Sequence, residues 1–139
     1  MQTATRLIRE FLRAGKQRFT AANALFHSGL HLEAIYLAGY TIECSLKAVI
    51  LQHGPKSKQG EVTEQITRGT KAHNYESLLS LLKKSGVNMP EDLVSHVRRA
   101  LTLWSPDLRY QTGRKPVQEV MAMFEATRLI LEWAERSTL

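Results

Sequence analysis

Four side chains able to do chemistry share one seam of an otherwise apolar segment. Residues 34–51 read Ala-Ile-Tyr-Leu-Ala-Gly-Tyr-Thr-Ile-Glu-Cys-Ser-Leu-Lys-Ala-Val-Ile-Leu. At ~100° per residue, Tyr36, Tyr40, Glu43 and Lys47 fall within about 60° of one another on a helix. Ile35, Leu37, Ile42, Cys44, Leu46, Val49 and Ile50 cover the rest of the circumference, so the helix is expected to be buried on most sides. A carboxylate and an ammonium in such a place are costly unless paired and hydrogen-bonded. Two arrangements meet that demand: an i,i+4 Glu43–Lys47 pair whose lysine stem reaches the surface, or a polar pocket beside the core.

The remaining polar candidates lie in loops that the neighbouring helices must position. Residues 4–27 carry an apolar stripe of Leu7, Ile8, Phe11, Phe19, Ala22 and Phe26, with Arg6, Arg9, Arg13 and Lys16 on the other faces. Ser28-Gly29 breaks this helix, and so short a break predicts that the next helix folds back antiparallel as a hairpin. Gly54-Pro55 ends the second helix, and residues 56–72 have no apolar period and read as a long loop. Its basic residues Lys56, Lys58, Arg68 and Lys71 suit a phosphate-contacting flap. Asn74 caps a third helix that Gly86 stops. Pro90 opens a fourth that runs through Trp104, and Ser105-Pro106 ends it. A second loop, 107–115, precedes a fifth helix opened by Pro116, with Val117, Val120, Met121, Phe124, Leu131 and Trp133 expected inside. No segment alternates as a strand does, so the fold class is all-α, a five-helix bundle built on the long hairpin.

With 139 residues and 43% hydrophobic composition, residues 1–139 form one domain with one core. The longest apolar stretch is interrupted by Glu43 and Lys47 and the first residues carry no signal-peptide pattern, so a cytoplasmic protein without a membrane span is expected. The single Cys44 leaves no CxxC-type metal pair and reads as a small core residue. His27 and His31 straddle the Ser28-Gly29 break, and no carboxylate cluster with ligand spacing sits nearby, so neither a metal nor a cofactor is expected. No Gly-rich phosphate loop and no Ser/His/Asp order is legible. Trp104 and Trp133 stand at core positions and read as packing residues. The net charge of +6 favours an anionic partner, although the basic residues are scattered along helices as often as clustered.

Three pieces stand in a fixed order: Ala38-Gly39-Tyr40-Thr41-Ile42-Glu43-Cys44-Ser45-Leu46-Lys47-Ala48, then His73-Asn74, then Trp104-Ser105-Pro106-Asp107-Leu108-Arg109-Tyr110. In this combination the chain resembles the HEPN superfamily, small α-helical domains of prokaryotic toxin–antitoxin, antiphage and nucleotidyltransferase-associated systems. The resemblance covers nearly the whole chain. It implies a compact bundle on the hairpin of helices one and two, a homodimer, and binding of RNA or a nucleotide. Many members are metal-independent ribonucleases with an Arg-x4-6-His motif. Arg109 stands where that arginine is expected, but the positions that follow at motif spacing are Arg114, Lys115 and Pro116. A literal Arg-x4-His occurs at Arg68 and His73, before the third helix.

The resemblance supports three readings. In the first, a binding domain of a toxin–antitoxin or defence module holds phosphate with Arg109, Lys47 and Arg114. Glu43 then orients Arg109 or Lys47, and His73 and Tyr110 line the pocket. In the second, a ribonuclease uses His73 as general base and Arg109 to stabilise charge on the phosphorus-bound oxygens. In the third, a protein–protein adaptor uses Glu43, His73 and Arg109 only to knit helices. Expected partners are RNA or a nucleotide, a second copy of the chain and a nucleotidyltransferase-type or other module protein.

Overall fold

The computed structural model describes residues 2–68 and 73–138. The first apolar stripe becomes helix α1 (Gln2–His27), which ends on Ser28, Gly29 and Leu30. Gly29 adopts φ 79°, a left-handed conformation open to glycine without steric cost. The Leu30 amide then donates to the Leu25 carbonyl at 2.9 Å and the Gly29 amide to that of Phe26 at 3.0 Å. This Schellman pattern satisfies carbonyls that the last turn leaves without partners. Helix α2 (His31–His53) runs back antiparallel. Phe26 lies against His31, the Thr41 hydroxyl donates to the Gly15 carbonyl at 2.7 Å, and Lys47 Nζ lies 5.8 Å from the Phe11 ring centre. At Gly15 a Cβ would come 3.3 Å from Cys44 Cβ, so glycine permits the close crossing.

Helix α2 is the centre of the molecule, with Ala34, Ala38, Ile42, Leu46, Val49 and Ile50 all fully enclosed or nearly so. By length and composition it could cross a membrane, but 78% of its most apolar window is buried inside the protein. Its own chain therefore supplies the apolar surroundings that its sequence demands.

After Gly54 and Pro55 the structure departs from the expected five helices. A 3₁₀ turn (Lys56–Lys58) leads into helix α3 (Gln59–Thr67), which fills most of the stretch expected to be loop. Val62 and Ile66, one turn apart, anchor it, and Ile66 is fully buried. Two anchors in a polar segment are too few to produce a visible period, which is why this helix was not legible. Lys71 and residue 72, part of the same expected loop, lie outside the described residues.

Helix α4 (Tyr75–Lys84) starts on Asn74, whose side chain accepts from the Ser77 amide at 3.0 Å. It closes with the same Schellman pattern around Gly86, φ 82°. Helix α5 (Glu91–Leu103) delivers Trp104, and the second expected loop begins with a further 3₁₀ turn (Pro106–Tyr110) pinned by buried Leu108. Helix α6 (Val117–Ser137) buries Val120, Met123, Ile130 and Ala134. Its Phe124 meets Phe19 and Phe26 edge-on. Val117 and Met121, expected inside, are 41% and 61% exposed because they share the outward side of the first turns of α6. The described residues thus hold six α-helices and no strand, an all-α fold.

Gly39 is where the core comes closest to failing. A Cβ built there would lie inside the Trp104 indole, so any side chain at this position pushes Trp104 off α2. Gly39→Ala should therefore destabilise the fold by about 3 kcal/mol. Gly29→Ala, with open space around it, should cost only about 1 kcal/mol through its left-handed backbone. Urea midpoints of the two variants decide the matter, and equal costs would contradict the packing account.

Candidate functional site

Trp104 organises one side of α2. Its Nε1–H donates to the Tyr36 carbonyl at 2.9 Å, and its ring stacks on Tyr75 at 4.9 Å with planes 11° apart. The Tyr75 hydroxyl in turn donates to the Gly39 carbonyl at 2.6 Å. Tyr40 meets the indole edge-on at 5.2 Å, and its hydroxyl shares a 3.0 Å hydrogen bond with that of Tyr36. Helices α2, α4 and the end of α5 are thereby locked together through polar contacts that end in aromatic rings. Burial, then the Tyr36 hydrogen bond, raises the Tyr40 phenol well above its ordinary range, while the nearby Arg109 charge acts the other way. Both tyrosines here stay neutral at any physiological pH, because burial raises Tyr75 as well.

One turn further along the same seam lies the ionic centre. Glu43 Oε2 accepts from Lys47 Nζ at 2.9 Å and Oε1 faces His73 Nδ1, also at 2.9 Å. The Glu43 and Lys47 side chains are 6% and 5% exposed, so the lysine does not reach the surface. Both alternatives read from the sequence meet here: the i,i+4 pair forms, and a polar group from another loop completes it. A carboxylate only accepts, so His73 Nδ1 carries a proton and donates it to Glu43. The His73 side chain is 48% exposed, so it forms the solvent side of this cluster. Burial pushes the thiol of Cys44, beside Glu43 in sequence, up to about 11, which disfavours the thiolate that nucleophilic chemistry needs.

Beside His73 the surface dips into a pocket of about 140 Å³ walled by Tyr75, Leu101, Trp104 and Pro106. A dry cavity of about 150 Å³ holds one benzene-sized ring, so this pocket has the volume of a single small aromatic ring.

The remaining expected site residues lie elsewhere. Arg109 is exposed, with its guanidinium 4.7 Å from the ring centre of Tyr110, itself 73% exposed. Among the described residues no hydrogen bond or ion pair joins Arg109 to Glu43, Lys47 or His73. Glu43 therefore orients Lys47 and His73, not Arg109. Arg114 lines a different cleft with His31, Glu33 and Lys115, where His31 Nδ1 bonds the Lys115 carbonyl at 3.0 Å. Arg68 of the literal Arg-x4-His spacing sits 4.0 Å from Glu64 on α3. Among the described residues no three His, Cys, Asp or Glu side chains converge as a metal site.

Sequence reasoning missed Tyr75 and the hydrogen-bonding role of Trp104. The available signal was Gly39, since a glycine inside an apolar helix costs about 1 kcal/mol and marks a close approach.

The ionic centre makes a stability prediction. Removing one partner of a buried pair strands the other, so Glu43→Ala or Lys47→Met should each cost about 3–5 kcal/mol, and the double variant Glu43→Leu/Lys47→Met should recover much of it. His73→Ala should cost about 1 kcal/mol or less, because its contact is half in solvent. Urea denaturation measures all four, and a His73→Ala loss as large as that of Glu43→Ala would contradict this ranking.

Comparison with curated proteins and with solved structures gives no match. The model of the HEPN domain matches residues 8–137, from the first buried residue of α1 to the end of α6. The chain belongs to the HEPN domain family.

Proposed function

We propose that this HEPN domain binds RNA or a nucleotide at the corner formed by Arg109, Tyr110 and the Trp104 pocket, as one component of a toxin–antitoxin or defence module. The observation that carries the reading is Arg109. Its guanidinium is exposed, has no carboxylate within 4.0 Å among the described residues, and lies 4.7 Å from the ring centre of exposed Tyr110. A strut between helices needs an internal acceptor; a phosphate clamp needs an open fork, and Arg109 has the second. Tyr110 offers a free aromatic face on which a base stacks. The pocket beside His73 has room for one ring. The family is associated with ribonuclease and with toxin–antitoxin or defence roles, which supports RNA as the ligand and a nucleotidyltransferase-type or other module protein as the partner.

Lys47 and Arg114 play no part in this binding reading. The Lys47 ammonium is enclosed and neutralises Glu43, and Arg114 belongs to the cleft at the start of α2.

A ribonuclease reading has its own support in the Glu43–His73 hydrogen bond, which fixes the tautomer a general base needs. His73 Nε2 would take the ribose 2′-hydroxyl proton as the oxygen attacks phosphorus, and the 5′-oxygen would leave with a proton from water, giving a 2′,3′-cyclic phosphate and a 5′-hydroxyl. Incubating the protein with total RNA, with and without chelator, tests it. The ribonuclease reading requires cleavage that persists in chelator and vanishes in His73→Ala and Arg109→Ala.

Homodimerisation belongs to the same proposal. Helix α2 is covered by its own chain, and the exposed Leu30, Val117 and Met121 support a surface for a second copy there instead. Sedimentation should show twice the chain mass for the wild type and the single mass for Met121→Glu. A wild type that is monomeric at tens of micromolar contradicts it.

For binding, Arg109→Ala should weaken affinity for single-stranded RNA by about 1–3 kcal/mol and leave the thermal midpoint unchanged. Tyr110→Ala should act in the same direction. A lowered midpoint without loss of binding would instead support the adaptor, in which Arg109 serves only the fold.

A further inference from the structure

A wide cleft lies away from the Arg109 corner, between the first half of α1 and the α2–α3 junction. It encloses about 860 Å³, and none of Glu43, Lys47, His73 or Arg109 lines it. Its floor is apolar, made by Ile8 and Leu51, which are 3% and 0% exposed. Its walls carry Arg6, Arg9, Arg13 and Lys56, all exposed. Among the described residues that line it the one carboxylate is Glu10, which the Arg6 guanidinium holds at 3.0 Å. Arg9, Arg13 and Lys56 have no carboxylate within 4.0 Å among the described residues, whereas Lys16, Arg68 and Arg128 each have one.

The spacing of these cations narrows the class of ligand. Arg6, Arg9 and Arg13 fall within about 60° of one another on α1 and extend over about 10 Å of its axis. Successive phosphates of one strand recur every few ångströms, ~3.4 Å of axis in a duplex and more in an extended single strand, so a row about 10 Å long spans more than one of them. A single mononucleotide would leave most of the row unpaired. Gln52 and Gln59 add amide donors on the opposite wall, and such donors contact phosphate and sugar oxygens without reading sequence.

We propose that this cleft is a second, sequence-independent nucleic-acid site, in which Arg9, Arg13 and Lys56, with Arg6, hold the phosphodiester backbone of single-stranded RNA. The site is independent of the Arg109 corner. It makes the affinity depend on strand length, because only an oligomer presents phosphates in a row.

Fluorescence anisotropy with a labelled oligouridylate, across a salt series, tests the proposal. The triple variant Arg9→Ala/Arg13→Ala/Lys56→Ala should bind at least about 10-fold more weakly, and the slope of log K against log salt should shrink by about 2, as loss of three phosphate contacts requires. The variant should keep the wild-type circular dichroism spectrum and its affinity for UMP. The same triple change should produce the same fold-loss in an Arg109→Ala background, since separate sites contribute independently. A control triple, Lys84→Ala/Arg98→Ala/Arg99→Ala, removes equal charge elsewhere and should have a clearly smaller effect. Three results overturn the proposal: an unchanged salt slope in the cleft variant, an equal loss in the control, or wild-type binding to phosphatidylglycerol vesicles but not to the oligomer. Failure of the Arg109 reading shows separately, as an Arg109→Ala protein that binds like the wild type.

Discussion

Everything at the centre of this molecule depends on a carboxylate that cannot be left alone. Glu43 is enclosed by helices, and both of its oxygens are occupied, one by Lys47 and one by His73. The i,i+4 lysine supplies the countercharge within α2, at no cost in loop ordering. The imidazole supplies the link to the segment before α4, a sequence separation of 30 residues. A buried pair is no strong source of net stability, because desolvation offsets most of the attraction. Its effect is positional: Glu43 holds His73 Nδ1 at 2.9 Å, at the edge of the neighbouring pocket that His73 helps to line.

A second constraint, of pure sterics, works beside the first. Gly39 lets the Trp104 indole lie on the α2 backbone, where its N–H finds the Tyr36 carbonyl and its face finds Tyr75. The chain then leaves α5 in a fixed direction, and the 3₁₀ turn that follows carries Arg109 and Tyr110 to the surface near Tyr40. The division of labour is clear in these contacts. Glu43, Lys47, Gly39 and Trp104 build the frame, while His73, Arg109 and Tyr110 are presented by it to solvent.

What the sequence made legible follows from the strength of each local pattern. The helices around α2 carry long apolar periods and recognisable punctuation: Asn74 at a cap, Gly29 and Gly86 at Schellman turns, Pro90 and Pro116 before helix starts. Helix α3 has only Val62 and Ile66 to reveal it, in a stretch rich in lysine, glutamine and glycine, and so it read as loop. Val117 and Met121 read as core because apolar type and helical spacing do not say which of two adjacent faces a bundle covers. In the site, the Glu43–Lys47 pair was visible because both partners lie on one helix. Whether His73 or Arg109 completes it was not, since that choice is made by how α4 and α5 dock, and docking is set by the Trp104–Gly39 contact.

In the proposed function the frame presents Arg109, Tyr110 and the pocket beside His73 to RNA. The most direct test is a titration of ¹⁵N-labelled protein with a short single-stranded RNA, following amide, arginine side-chain and indole signals together. The Arg109 Nε–H, the Tyr110 amide and the amides of His73 and Ser105 should shift with one common binding curve. The Trp104 indole N–H, bonded to the Tyr36 carbonyl, should persist throughout. Saturable RNA binding that leaves Arg109, Tyr110 and His73 unmoved would contradict it.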